Sequence, residues 1–148
     1  MDYTKVNSND QLDLIGSCLV GCTGNSVTYT FNLFMFNSVT NTWTPFTNSL
    51  YYYTWGPLNS GLAISKNLFT DYPSQLIWKI QLNINVGYSN QTYAGSTSMA
   101  IYVNFSPLPG ICDINPKNGT TSTLFQITCN GWTDNLGSVA FYSYFGIF

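Results

Sequence analysis

Gln75-Leu76-Ile77-Trp78-Lys79-Ile80-Gln81-Leu82-Asn83-Ile84-Asn85-Val86 is the stretch that decides the fold. Leu76, Trp78, Ile80, Leu82, Ile84 and Val86 alternate with Gln75, Lys79, Gln81, Asn83 and Asn85, and only Ile77 interrupts the polar set. A period of two sustained over this length describes a strand with one face in a core and the other in water. Downstream, Met99, Ile101, Val103 and Phe105 alternate with Ser98, Ala100, Tyr102 and Asn104. Upstream, Val27, Tyr29, Phe31, Leu33 and Met35 share one side, with Phe34 and Phe36 thickening the other. Leu12, Leu14 and Cys18 predict an earlier strand that ends at a cysteine loop. Turn clusters at Asn37-Ser38, Thr47-Asn48-Ser49 and Gly56-Pro57-Leu58-Asn59-Ser60-Gly61 separate these segments, and no convincing helical pattern is present. Strands broken by turns every ten or so residues predict an all-β, antiparallel β-sandwich over residues 1–106.

The pattern breaks at Ser106-Pro107-Leu108-Pro109-Gly110. Beyond it, Ile111–Asn115, a turn at Pro116-Lys117-Asn118-Gly119, a strand from Leu124 to Cys129, and a loop through Asp134 and Asn135 lead to a last apolar segment. Residues 107–148 thus hold about three strands, too few to close a core alone. The second β-domain is expected to be incomplete. Its end, with Val139, Phe141, Tyr142, Tyr144, Phe145, Ile147 and Phe148, carries no charge and is apolar on both faces. Left exposed, such a strand is an edge-pairing hazard. These residues are therefore expected at a subunit interface, by strand addition to a neighbouring copy, unless the chain continues in its gene. Packing back on the first domain is the intramolecular alternative.

Composition narrows the function. The 148 residues include four Lys, six Asp, and no Arg, Glu or His, while 17% are aromatic. Polarity comes instead from 17 Asn, 17 Thr and 15 Ser. Disorder is excluded by the aromatic content and a net charge of only −2. Four scattered Lys cannot neutralise a phosphate backbone, so no nucleic-acid partner is expected. An enzyme is not expected either. Asp2, Asp10, Asp13, Asp71, Asp113 and Asp134 are dispersed, and no Ser or Cys has a His to activate it. No cofactor is implied, and no apolar run reaches the roughly 18 residues of a membrane span. Met1-Asp2-Tyr3-Thr4-Lys5 shows no signal-peptide h-region, so any secretion signal is expected outside this chain.

Four cysteines form two local pairs, Cys18 with Cys22 and Cys112 with Cys129. Three pairings exist in principle, and the sequence favours these two as disulfides. Four buried thiols are the alternative, and the spacings do not supply the tight knuckles of a zinc site. Sequons at Asn90, Asn104 and Asn118 fit the same oxidising, extracellular compartment. Alternation places Asn104 on the outward face of its strand, and Asn118-Gly119 falls in a turn. Tyr51-Tyr52-Tyr53-Thr54-Trp55, read as a strand, has side chains on both faces. Tyr52 and Trp55, with Trp43, are candidates for stacking on glycans, against core or interface packing as the commoner use of such rings.

Residues 107–145 resemble the REJ (receptor for egg jelly) module of polycystin-like proteins. The resemblance rests on Pro109-Gly110-Ile111-Cys112-Asp113-Ile114-Asn115-Pro116, on Gly119, Thr123, Phe125, Ile127 and Cys129, on Gly131-Trp132-Thr133-Asp134, and on residues 142–145. Upstream, the loop from Cys18 to Cys22 followed by Tyr29-Thr30-Phe31-Asn32-Leu33 looks like the start of the preceding repeat in that family, and residues 95–105 like its closing strand. The resemblance implies Ig-like or fibronectin-like sandwiches in tandem, on the outside of ciliary or gamete-surface proteins, with adhesive or structural roles and no catalytic residues. It also implies that Cys112 and Cys129 staple adjacent strands with Trp132 packed beside them. Asp134 is expected to cap a turn, one carboxylate being a poor calcium site. The resulting expectation is an extracellular structural protein that joins head-to-tail with itself, as the repeating subunit of a surface fibre. A piece of a polycystin-like receptor ectodomain and a carbohydrate-binding module are the alternatives.

Overall fold

A computed structural model describes residues 2–20, 22, 26–88, 91–135 and 137. The chain divides into two compact units, residues 1–104 and residues 105–148.

In unit 1 the alternating segment becomes β7 (Ile77–Tyr88), flanked by β3 (Ser26–Asn37) and β8 (Gln91–Asn104). Both pairings are antiparallel and long, with Phe31 opposite Leu82 and Trp78 opposite Ile101. With β1 (Thr4–Asn7) beyond β8 and β4 (Thr42–Pro45) beyond β3, they make a five-stranded sheet in the order β1-β8-β7-β3-β4. A smaller sheet, β2-β6-β5, joins β2 (Leu12–Ile15), β6 (Gly61–Ile64) and β5 (Tyr53–Trp55). Two single helical turns, α1 (Ser49–Tyr52) and α2 (Asn67–Asp71), connect the strands. This is an all-β sandwich.

The core lies where the small sheet covers the large one. Phe31 and Leu33 of β3, Trp78, Ile80 and Leu82 of β7, and Ile101 and Val103 of β8 are buried, as are Leu62 and Ile64 of β6 and Leu68 and Phe69 of α2. These are the inward positions that period-two alternation predicts. Trp78 anchors the group. Its indole N–H donates to the Gln75 carbonyl at 2.9 Å, and its ring meets Phe46 edge-on at 5.4 Å and Tyr72 at 6.0 Å. Close approach between the sheets uses Gly16, where a Cβ would collide with the Leu82 side chain.

Three features differ from the sequence reading. First, β1 runs parallel to β8, with Thr4 opposite Ile101. Alternation encodes which face is buried but not strand direction, so this pair was not legible. Second, Tyr51 and Tyr52 sit in α1, and the strand begins only at Tyr53. Three consecutive tyrosines are therefore placed by a helical turn as well as by a strand. Third, β8 begins at Gln91, well before the apolar alternation at Met99. The strands of the small sheet are three or four residues long, whereas β7 has twelve and β8 fourteen. The small sheet therefore covers one end only. Ile84 and Val86 are half-buried, and residues 91–98 of β8 are all exposed.

In unit 2, β9 (Ile111–Asn115) and β10 (Gln126–Asn130) form an antiparallel two-stranded sheet with Cys112 directly opposite Cys129. The same register puts Ile114 opposite Ile127, so these two share the disulfide face. Leu108 and Thr133 form an isolated bridge that closes the unit's base. Gly110 allows this closure, since a Cβ there would strike the Asn130 carbonyl and Trp132. None of the described residues of this unit is buried.

Candidate functional site

The titratable groups are spread out and mostly occupied in local structure. Among the described residues no three His, Cys, Asp or Glu side chains gather as a metal site would require. Asp10 accepts from the Asn7 side chain at 3.0 Å, and Asp13 from Gln11 at 2.8 Å. Asp113 faces Lys117 at 3.9 Å on the surface, a pair worth at most about 1 kcal/mol. Lys79 lies on the outer face of the large sheet, its Nζ 4.3 Å from the Phe34 ring centre and 5.1 Å from that of Trp43. The two rings hold the ammonium by cation–π attraction, about 0.5–1 kcal/mol at an exposed position.

Both disulfides join the pairs favoured by the sequence, Cys18 with Cys22 and Cys112 with Cys129. Among the sequons, Asn118 is exposed in the β9–β10 connection. Asn104 does lie on the face opposite Ile101 and Val103, yet it is only half-exposed and its Oδ1 is shielded from water. Asn90 lies outside the described residues. So do Val139, Phe141, Tyr142, Tyr144, Phe145, Ile147 and Phe148, the expected interface residues.

The aromatic run separates into inner and outer members. Tyr52, expected as a stacking platform, is only 7% exposed. Its ring packs against Phe46 at 5.9 Å and Tyr72 at 6.1 Å, and its hydroxyl donates to Asp71 at 2.9 Å. A ring so enclosed offers no face to a sugar, because α1 turns it into the core. Trp55 remains half-exposed and lies across Gly61, and Tyr51 is more exposed still. Burial, followed by the hydrogen bond to Asp71 and the Asp71 charge, raises the Tyr52 hydroxyl above its ordinary value of 10.0. Burial raises the Tyr53 hydroxyl in the same direction. The consequence for stability has a definite sign. Below pH of about 10 the tyrosines are neutral in both folded and unfolded chain, and nothing changes. Above it the unfolded chain ionises first, so stability falls as pH rises. Thermal melts of the wild-type protein should stay level to about pH 10 and then drop, and Tyr52→Phe should drop less steeply. Parallel curves for the two proteins would refute the assignment to Tyr52.

What the surface does carry is exposed apolar area and unpaired backbone. Leu19 and Val20 are each 89% exposed beside the first disulfide. With Ser17, Cys18, Ile84, Val86, Tyr93 and residues 94–97 they line a shallow groove of about 390 Å³. Leu108, Ile111 and Leu124 of unit 2 are 67%, 78% and 92% exposed. The sequence missed the exposed first part of β8, residues 91–98, because its residues follow no apolar–polar alternation. The only available signal was a stretch without charge or proline. Among the described residues no helix is long and apolar enough to cross a membrane.

Comparison with known proteins finds one family. The family model of the REJ domain matches residues 2–144, running through both units rather than through the second alone. No curated protein and no solved structure matches the chain.

Proposed function

Because the chain belongs to the REJ domain family, extracellular modules of polycystin-like proteins, we propose that it is a structural module that associates with further copies of itself, as in a surface fibre. One observation carries this reading. Unit 2 exposes every strand residue of its two-stranded sheet except the half-buried Cys129, and none of its described residues reaches burial. A two-stranded sheet is marginal in water unless a third strand or a second layer covers it. The apolar face of Ile114, Phe125 and Ile127, each about two-fifths exposed, invites such a layer from a neighbour. In the head-to-tail form, residues 111–148 of one copy complete or cover unit 1 of the next. A contact of this kind that does not close into a ring propagates as a filament. The two disulfides fit an oxidising, extracellular setting.

The second reading is that the covering layer is the next module of a longer receptor ectodomain. The exposed ribbon supports both, and solution behaviour separates them. Light scattering on the purified chain should show mass rising with concentration, with residues 139–148 protected from protease in the assembled material. A monomer at all concentrations, with that segment cleaved readily, would sink the self-association reading. Tyr51 and Trp55 retain exposed rings, so a glycan contact there stays a lesser alternative that loss of binding on Trp55→Ala would support.

A further inference from the structure

Among the described residues of unit 1, the longest unpaired backbone is the outer border of β8. Strand β1 covers β8 only from Ile101 to Asn104. Among the described residues no strand pairs with that side of residues 91–100. The hydrogen-bond phase of β8 follows from two neighbouring residues at its C-terminal end. The Val103 N–H donates towards β7, to the Leu76 carbonyl at 2.8 Å, whereas the Asn104 carbonyl accepts from Ser8 on the β1 side at 2.8 Å. The β7–β8 register continues without a bulge back to Gln91 opposite Tyr88. Alternation along an antiparallel strand then aims the N–H and C=O of Thr92, Ala94, Ser96, Ser98 and Ala100 outwards. Natural sheets protect such borders with lysines, prolines or bulges. Residues 91–100 contain no charge and no proline, and residues 91–98 are exposed.

We propose that this border is a docking surface for a second copy of the same chain, β8 against β8, antiparallel about a two-fold axis at Ser96. The sequence is self-complementary in that arrangement. All five outward residues are used, with Ser96 opposite its symmetry mate, Ala94 opposite Ser98, and Thr92 opposite Ala100. Each of these pairs exchanges two backbone hydrogen bonds, about ten in all. Between them Gly95 falls opposite Thr97, and Tyr93 opposite Met99, an aromatic–sulfur pairing. An added Cβ at Gly95 would meet nothing within 4 Å, so no side chain lies over the face of the sheet at the centre of the border. No like charges face each other at any position, the usual penalty when a strand meets itself. The two five-stranded sheets become one continuous sheet. The contact uses unit 1 alone and shares with the proposed function only the premise that the partner is a second copy.

The test uses the full chain. Ser96→Cys should form a covalent dimer under mild oxidation, because a hydrogen-bonded antiparallel pair brings Cα atoms to about 5.5 Å, within disulfide reach. Thr92→Cys should not, since its mate stands opposite Ala100. Ser96→Pro removes only an outward N–H, a position where edge strands tolerate proline. It should weaken dimerisation in sedimentation velocity by about tenfold or more with an unchanged melting temperature. Ser96→Lys, a border charge of the protective kind, gives the same readout should the proline variant fold poorly. A wild-type chain without a dimer, equal cross-linking of the two cysteine variants, or dimerisation unchanged in both Ser96→Pro and Ser96→Lys overturns the proposal. Phe141→Lys separates it from the head-to-tail reading. Association lost in Phe141→Lys but kept in the Ser96 variants supports the head-to-tail contact and refutes this one. The reverse pattern supports this contact and refutes the other.

Discussion

Trp78→Ala should sharply lower the stability of unit 1 and broaden its unfolding transition. Trp78 is fully buried at the crossing of β7, Phe46 and Tyr72. Truncating a buried tryptophan costs about 3–5 kcal/mol through lost transfer energy and the cavity left behind. The Gln75 carbonyl loses its indole donor as well, which adds the cost of an unpaired acceptor wherever water cannot reach it. Gln75 also ties β3 to β7, its side-chain amide donating to the Phe36 carbonyl at 3.1 Å and to the Ile77 carbonyl at 2.6 Å. Loosening it therefore spreads the damage along the sheet. Domains of this size hold about 5–15 kcal/mol in total, so one substitution removes a large share. Denaturation by urea, followed by far-ultraviolet circular dichroism, should show an early and broadened transition. A midpoint within a few tenths of the wild-type value would mean that the core is organised elsewhere.

Cys129→Ser should undo unit 2 while sparing unit 1. The Cys112–Cys129 bridge closes a segment with a sequence separation of 17, and constraining a loop of that length stabilises by about 3 kcal/mol. In a unit whose described residues include none that is buried, little else opposes chain entropy. Apolar burial, the usual main term, is small among those residues. Hydrogen bonds between β9 and β10 remain, but a two-stranded ribbon in water is marginal without its staple. Limited proteolysis of the variant should cut within residues 111–130 many times faster than in the wild type. The thermal transition of unit 1 should stay in place. Equal protease resistance in variant and wild type would show that unit 2 is held by contacts other than its disulfide. Cys18→Ser is the internal comparison, since that bridge closes a separation of only 4 and should matter far less.

Much of unit 1 was readable from side-chain order. Alternation in β7 named Trp78, Ile80 and Leu82 as core residues, and the same logic found Phe31, Leu33, Ile101 and Val103. The paired cysteines were readable because a cross-strand bridge needs opposed positions on adjacent strands. Unit 2's ribbon was readable from the turn at residues 116–119 and the strands on either side. Tyr52 was not, because one helical turn reassigned it from surface to core. Nor was the free border of β8, where Thr92, Ala94, Ser96 and Ser98 follow no hydrophobic period.

By itself, then, the sequence determined that this chain folds as β-strands and which side chains face inward, it favoured the two cysteine pairings, and it left almost no charge to guard the surface. Those properties are local, set by a two-residue period and by the chemistry of each side chain. The tertiary structure alone decided how far the second sheet reaches, and hence that Ile84 and Val86 leave the core while β8 runs on uncovered. It also decided that β1 joins in parallel at Ile101–Asn104 and goes no further. Exposure of a strand border depends on which distant segment arrives beside it, and no local pattern carries that information.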